Sequence, residues 1–157
     1  MLRLSYILHE HGWATASISD GEATVETDVS YLSDALGDLA RAARGILRGM
    51  PEAAFRFQQE PGEHRFVVSR EDDGVRVTVY RLSDTFSRAR TGEPVMVAEC
   101  SLCEFATECI NCLRRVLDEH GEAGYRQRWK NADFPWQEYR DLLELRRELP
   151  AAARPAN

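Results

Sequence analysis

Two alternating runs of residues meet at Asp20-Gly21. No other feature of the chain narrows its fold as much. An Asp-Gly pair flanked by period-two alternation is the strongest short-range cue for a β-hairpin. With Asp20 and Gly21 as the two loop residues, Ser19 pairs with Glu22 and Ile18 with Ala23. Ala16 then pairs with Val25, and Ala14 with Thr27. One face of this hairpin is small and apolar. The other carries Trp13, Thr15, Ser17, Ser19, Glu22, Thr24, Glu26 and Asp28. That pattern belongs to an antiparallel sheet with one face buried and the other in water.

The neighbouring segments extend the reading. Residues 2–8 predict a strand with Leu2, Leu4, Tyr6 and Leu8 on one side. Leu32, Leu36, Leu39, Ala40, Ala43, Ile46 and Leu47 recur at helical spacing and predict a helix over 31–48. Ser30 or Ser33 would cap it, and Gly49 and Pro51 would end it. Strands follow over 53–59, 64–70, 75–82 and 95–101, with a polar loop over 83–94. A long helix then carries Phe105, Ala106, Cys109, Cys112, Leu113, Val116 and Leu117 on one stripe and closes at His120-Gly121. A short helical piece with Tyr125 and Trp129 comes next. Phe134-Pro135-Trp136 opens a final helix, with Asp133 as its cap. The order β-β-β-α-β-β-β-β-α-α predicts an α+β fold. We expect one antiparallel sheet of six or seven strands with two main helices on one face. A chain of 157 residues supports one core, so residues 1–149 read as a single domain and 150–157 as a flexible tail.

Composition excludes several classes. Apolar residues make up 43% of the chain and are spread evenly, which excludes disorder over most of it. No window approaches the ~18 uninterrupted apolar residues of a membrane span. The formal net charge of −6 opposes nucleic acid and favours a basic protein partner. The first ten residues lack the cationic region, apolar core and cleavage site of a signal peptide, so a cytoplasmic protein with reduced thiols is expected.

Cys100, Cys103, Cys109 and Cys112 spell C-x2-C-x5-C-x2-C, the ligand chemistry of a thiolate zinc site. Helical geometry works against one shared ion. At about 100° per residue, Cys103 and Cys112 point to opposite sides of a helix. Cys109 and Cys112 fall on the apolar stripe and read as small core residues. Cys100 and Cys103 sit at a strand-to-helix junction, where a redox pair would be found. His9-Glu10-His11 reads as a polar turn without a further ligand nearby in sequence. Asp72-Asp73-Gly74 lacks the remaining acids of a calcium loop and reads as a turn. Arg56, Arg65, Arg76, Arg88 and Arg90 read as solvated strand and loop cations. The nucleophile-elbow, phosphate-loop and zinc-protease signatures are absent, and no catalytic constellation emerges.

Gly12-Trp13, Ser30-Tyr31-Leu32-Ser33-Asp34-Ala35-Leu36, Gly124-Tyr125, Trp129 and Phe134-Pro135 resemble stretches of small uncharacterised actinobacterial α+β proteins. That resemblance spans most of the chain and implies a fold without an activity. In size, acidity and α+β make-up the chain is also similar to immunity proteins that neutralise polymorphic bacterial toxins. This second resemblance is one of class and transfers no functional residue. The leading expectation is a non-enzymatic protein-binding module without a cofactor, an immunity-type inhibitor of a basic toxin or effector. Trp13, Thr15, Ser17, Glu22, Thr24, Glu26 and Asp28 would form its binding face. The alternative is a small-molecule- or zinc-binding domain built on Cys100, Cys103, Cys109 and Cys112. A further alternative is a secretion-chaperone-like homodimer.

Overall fold

The protein is represented by a computed structural model that describes residues 1–83, 92–130 and 132–150. Among the described residues, seven strands and three helices follow the expected order. They are β1 (Arg3–Leu8), β2 (Trp13–Ser19), β3 (Thr24–Ser30), α1 (Ala35–Leu47), β4 (Glu52–Gln58), β5 (Glu63–Glu71), β6 (Gly74–Leu82), β7 (Glu93–Cys100), α2 (Leu102–Arg128) and α3 (Trp136–Glu148). Positions 84–91 of the expected loop and 151–157 of the expected tail lie outside the described residues.

The seven strands do not make one sheet. They form two antiparallel sheets, three strands in the order β1-β2-β3 and four in the order β4-β5-β6-β7. Every pairing within a sheet joins consecutive strands, as short turns require. Between β3 and β4 the chain instead passes through α1. A pairing across such a crossover would be parallel, and no ladder forms there, although β3 and β4 lie against each other. A side-chain bond links the first sheet to β5 of the second: His64 Nδ1 lies 2.9 Å from Thr27 Oγ1, with both residues buried. Burial, and then the nearby Arg81 charge, hold His64 below the usual imidazole range.

One continuous core unites the sheets and helices. Tyr6, Ala16, Ile18 and Val29 come from the first sheet, and Phe55, Phe66, Val77 and Val79 from the second. Leu36, Ala40, Ala43 and Ile46 of α1, together with Phe105, Cys109, Leu113 and Val116 of α2, complete it. Period-two burial along the strands and helical periodicity along α1 and α2 meet in this core, as the sequence pattern requires.

Helix ends depart from expectation in two places. α1 begins at Ala35, with Asp34 as its cap rather than Ser30 or Ser33: Asp34 Oδ1 accepts the Gly37 N–H at 3.2 Å. A Cβ on Gly37 would overlap that carboxylate, so glycine is needed for the cap to form. Tyr31 and Leu32 therefore stay outside the helix. At α3, Pro135 takes the cap position without a side-chain hydrogen bond, while Asp133 accepts from Arg126 Nε at 2.9 Å. The expected close at His120-Gly121 is present as a break inside α2, where Gly121 adopts φ 69° and ψ 176°.

β1 is the outer strand of its sheet. The Leu2 N–H donates to Glu104 Oε1 at 2.7 Å and the Leu4 N–H donates to Glu108 Oε2 at 2.9 Å. Two carboxylates one helical turn apart thus meet two alternate edge amides. Replacing Glu108 with Ala leaves the Leu4 amide without its acceptor beside the core. That change should cost about 1–3 kcal/mol in urea unfolding and speed hydrogen exchange at Leu4. Glu108→Gln keeps an acceptor oxygen and should cost less. Equal losses for the two variants would show that the edge contact does not stabilise the strand.

Candidate functional site

The β2–β3 hairpin is the candidate face. Its register differs from the sequence expectation. Ser19 pairs with Thr24, Ile18 with Val25, Ser17 with Glu26, Ala16 with Thr27, Thr15 with Asp28, Ala14 with Val29 and Trp13 with Ser30. The loop therefore has four residues, Asp20 to Ala23, and Glu22 sits in it rather than opposite Ser19. The Asp20 carboxylate explains the longer loop. Its Oδ1 accepts the N–H groups of both Glu22 and Ala23 at 2.8 Å. Those bonds, Ala23 first, hold the Asp20 carboxyl below the usual carboxylate range. Gly21 supplies the positive φ of 97° that the turn needs. The slip is by two residues, so every side chain keeps its face. Ala14, Ala16 and Ile18 are buried as expected.

On the outward face, Glu22, Thr24, Glu26 and Asp28 are exposed, and Trp13, Thr15 and Ser17 are half-buried. β1 extends the same face, opposing Arg3 to Ser19, Ser5 to Ser17 and Ile7 to Thr15. Rows of small hydroxyls thus separate Arg3 and Ile7 on β1 from the acids on β3. The carboxylates of Glu22, Glu26 and Asp28 have no ion pair or hydrogen bond among the described residues. The second sheet contrasts with this: Arg76 pairs with Glu71 at 3.3 Å and Glu99 at 2.9 Å, and Arg81 with Glu93 at 2.9 Å.

Trp13 stands at the end of this face opposite Ser30, and the two residues that follow Ser30, expected in a helix, lie outside it. Tyr31 and Leu32 are 42% and 37% exposed. Tyr31 packs on Gly12: a Cβ there would come within 2.7 Å of its ring, and Gly12 has φ 77°. The signal for this apolar end was the Asp34-x-x-Gly37 cap, which starts the helix later than its first leucine. His9-Glu10-His11 forms the turn between β1 and β2, as expected. The His9 N–H donates to the Trp13 carbonyl at 2.8 Å, and its Nε2 lies 2.7 Å from Thr15 Oγ1.

The cysteines divide as their periodicity suggested. Cys109 and Cys112 are buried free thiols within the cluster of Phe105, Leu113 and Val116, while Cys100 and Cys103 are half-buried. Among the described residues, no three His, Cys, Asp or Glu side chains are grouped to hold a metal ion. Burial, and then the nearby Glu104 carboxylate, push the Cys100 thiol up to about 12. Burial and Glu108 likewise raise Cys112 to about 12, and burial raises Cys109 strongly. Such thiols stay protonated and are poor nucleophiles near neutral pH. Among the described residues, no helix is long and apolar enough to cross a membrane.

No protein-family model matches the chain, and no curated protein matches it. Among solved structures, one chain of the CdiA-CT/CdiI toxin and immunity complex from Enterobacter cloacae is a distant structural neighbour. It shares 10% sequence identity at a TM-score of 0.44, over 73% of this chain and 99% of that one. None of these comparisons bears on the likeness to actinobacterial proteins.

The raised thiols predict a pH dependence. A thiol held protonated in the folded state stabilises the fold fully below the unfolded value near 9, and this stabilisation is lost as pH rises toward about 12. Urea unfolding should therefore show stability falling across that window, with a shallower fall for Cys112→Ala. At neutral pH the same variant should lose about 1–2 kcal/mol through the small cavity it leaves. A pH profile identical to wild type would remove Cys112 from the effect.

Proposed function

We propose that the protein is a protein-binding module that docks a basic partner on the outward face of the β2–β3 hairpin. The finer form of this reading is an immunity-type inhibitor of a cationic toxin or effector. One observation carries it: Glu22, Glu26 and Asp28 are exposed together, with no cationic partner among the described residues. Like charges left side by side repel, and a cationic surface relieves that repulsion. Glu26 and Asp28 stand on one strand face opposite Ser17 and Thr15. These short side chains leave the carboxylates exposed on the face.

Trp13 completes the reading as an aromatic anchor. Buried aromatic residues dominate interface energetics, and charge mainly sets encounter rate and specificity. Tyr31 and Leu32 widen the apolar end of the same surface. Steering by the acids followed by desolvation at Trp13 is the expected sequence of binding.

The test uses the full chain immobilised as bait for proteins of its source cell. Mass spectrometry then compares what wild type and Glu26→Lys/Asp28→Lys retain. The expected result is a basic protein released from wild type by moderate salt and not retained by the charge-reversed variant. Its association rate with wild type should fall steeply with ionic strength. Stability should hardly change, because exposed charges contribute little to folding. Equal retention by both proteins, or an on-rate at low salt unaffected by the reversal, would overturn the proposal.

A further inference from the structure

The outward face of the β4–β7 sheet carries a pattern that the hairpin reading does not use. The registers align Ala54, Val67, Thr78 and Val97 in one row across all four strands. Ala54 is exposed, Val67 and Thr78 are half-buried, and Val97 is 51% exposed. The helices pack on the other side, where Phe55, Phe66, Val77, Val79 and Ala98 are buried. An apolar row running across an outward sheet face is unusual on a lone domain, since such faces normally alternate to polar.

The rows on either side of it differ in charge. Two residues to one side of the apolar row stand Arg56, Arg65 and Tyr80; two residues to the other stand Glu52, Ser69, Arg76 and Glu99. Arg56 and Arg65 are direct cross-strand neighbours, an arrangement of like charges that is unfavourable by itself. Arg65 is joined to Glu63 at 3.3 Å. Asp38 borders the same end of the sheet but is committed to Arg41 at 2.8 Å. Arg56 and Glu52 are both exposed, and neither has an ion pair among the described residues.

We infer that this face binds a second copy of the chain, sheet against sheet, about a two-fold axis lying along the Ala54–Val67–Thr78–Val97 row. The pattern is self-complementary under that operation. Rotation about the row exchanges its two flanks, so each Arg56 meets the other copy's Glu52 and each Tyr80 meets the other copy's Arg76. The first contact is an ion pair made twice; the second places a guanidinium on an aromatic ring, also twice. The four-residue rows, apolar but for the Thr78 hydroxyl, stack on each other at the centre. Isologous contacts of this kind are the commonest form of homodimer, and aligned sheets pack about 10 Å apart with interleaved side chains.

Sedimentation velocity and light scattering on the full-length chain, over a concentration series from micromolar toward millimolar, test the inference. The expected result is a concentration-dependent rise from monomer to dimer mass. Val97→Lys should raise the dissociation constant at least about tenfold, since it sets two like charges against each other at the centre of the interface. Glu52→Arg and Arg56→Glu should each weaken the dimer, and the double exchange Glu52→Arg/Arg56→Glu should restore it, because the reciprocal pairs re-form with their signs swapped. Circular dichroism should show all four variants folded as wild type. A monomer at every concentration, or a dimer indifferent to Val97→Lys, or a double exchange no tighter than its single variants, overturns the inference.

Discussion

Two carboxylates on α2 set the edge on which much of the structure leans. An outer strand presents a row of unpaired amides, and natural sheets must cover or interrupt it. Here Glu104 and Glu108, one helical turn apart, accept from Leu2 and Leu4. The arrangement substitutes side-chain oxygens for the carbonyls of a further strand. It also fixes how α2 lies on β1. With that helix in place, Phe105, Cys109, Cys112 and Val116 enter the core. The second segment of α2 delivers Trp129, which packs edge-on to Tyr6 with ring centroids 6.4 Å apart and donates from Nε1 to the Ser33 carbonyl at 3.1 Å. That bond ties down the link entering α1. The same α2 pair therefore bears on the edge strand, the core and the start of the crossover helix.

Both sheets bury polar groups. Thr27, Gln58, Glu63 and His64 are all buried. Gln58 and Glu63 face each other across the β4–β5 turn, and Thr27 reaches His64 from the other sheet. No ladder joins β3 to β4; the Thr27–His64 bond links β3 of one sheet to β5 of the other. Charge-assisted contacts then fasten the outer helix. Asp141 of α3 meets Arg44 at 3.0 Å and Arg48 at 3.3 Å on α1, and the Arg44 bond leads the causes that hold its carboxyl below the usual range.

Charge is distributed unevenly between the two outward sheet faces. Glu71 on β5 and Glu93 and Glu99 on β7 are matched to the β6 arginines Arg76 and Arg81, whereas Glu26 and Asp28 on β3 are left to solvent. The acids behind the formal net charge of −6 thus include Glu22, Glu26 and Asp28, which stand exposed on the hairpin.

Local patterns in the chain were enough to give the strand order, the faces of the hairpin and the fate of two cysteines. Period-two alternation places Ala14, Ala16 and Ile18 inside whichever turn closes the hairpin, because a two-residue slip preserves the faces. Helical spacing buries Cys109 and Cys112 with Phe105 and Val116 in the same way. The four-residue loop was less legible, since it depends on where one Asp20 oxygen finds its donors. The late start of α1 rests on Asp34 accepting from Gly37 and on the space that glycine leaves, so Tyr31 and Leu32 surfaced beside Trp13 unannounced. The division into two sheets lay beyond the sequence altogether. Turn residues encode which consecutive strands pair, but no local signal encodes whether strands on either side of a crossover helix will share a ladder. That outcome depended on how α1 and α2 filled the space above both sheets, and on a buried threonine and histidine thirty-seven positions apart meeting at their seam.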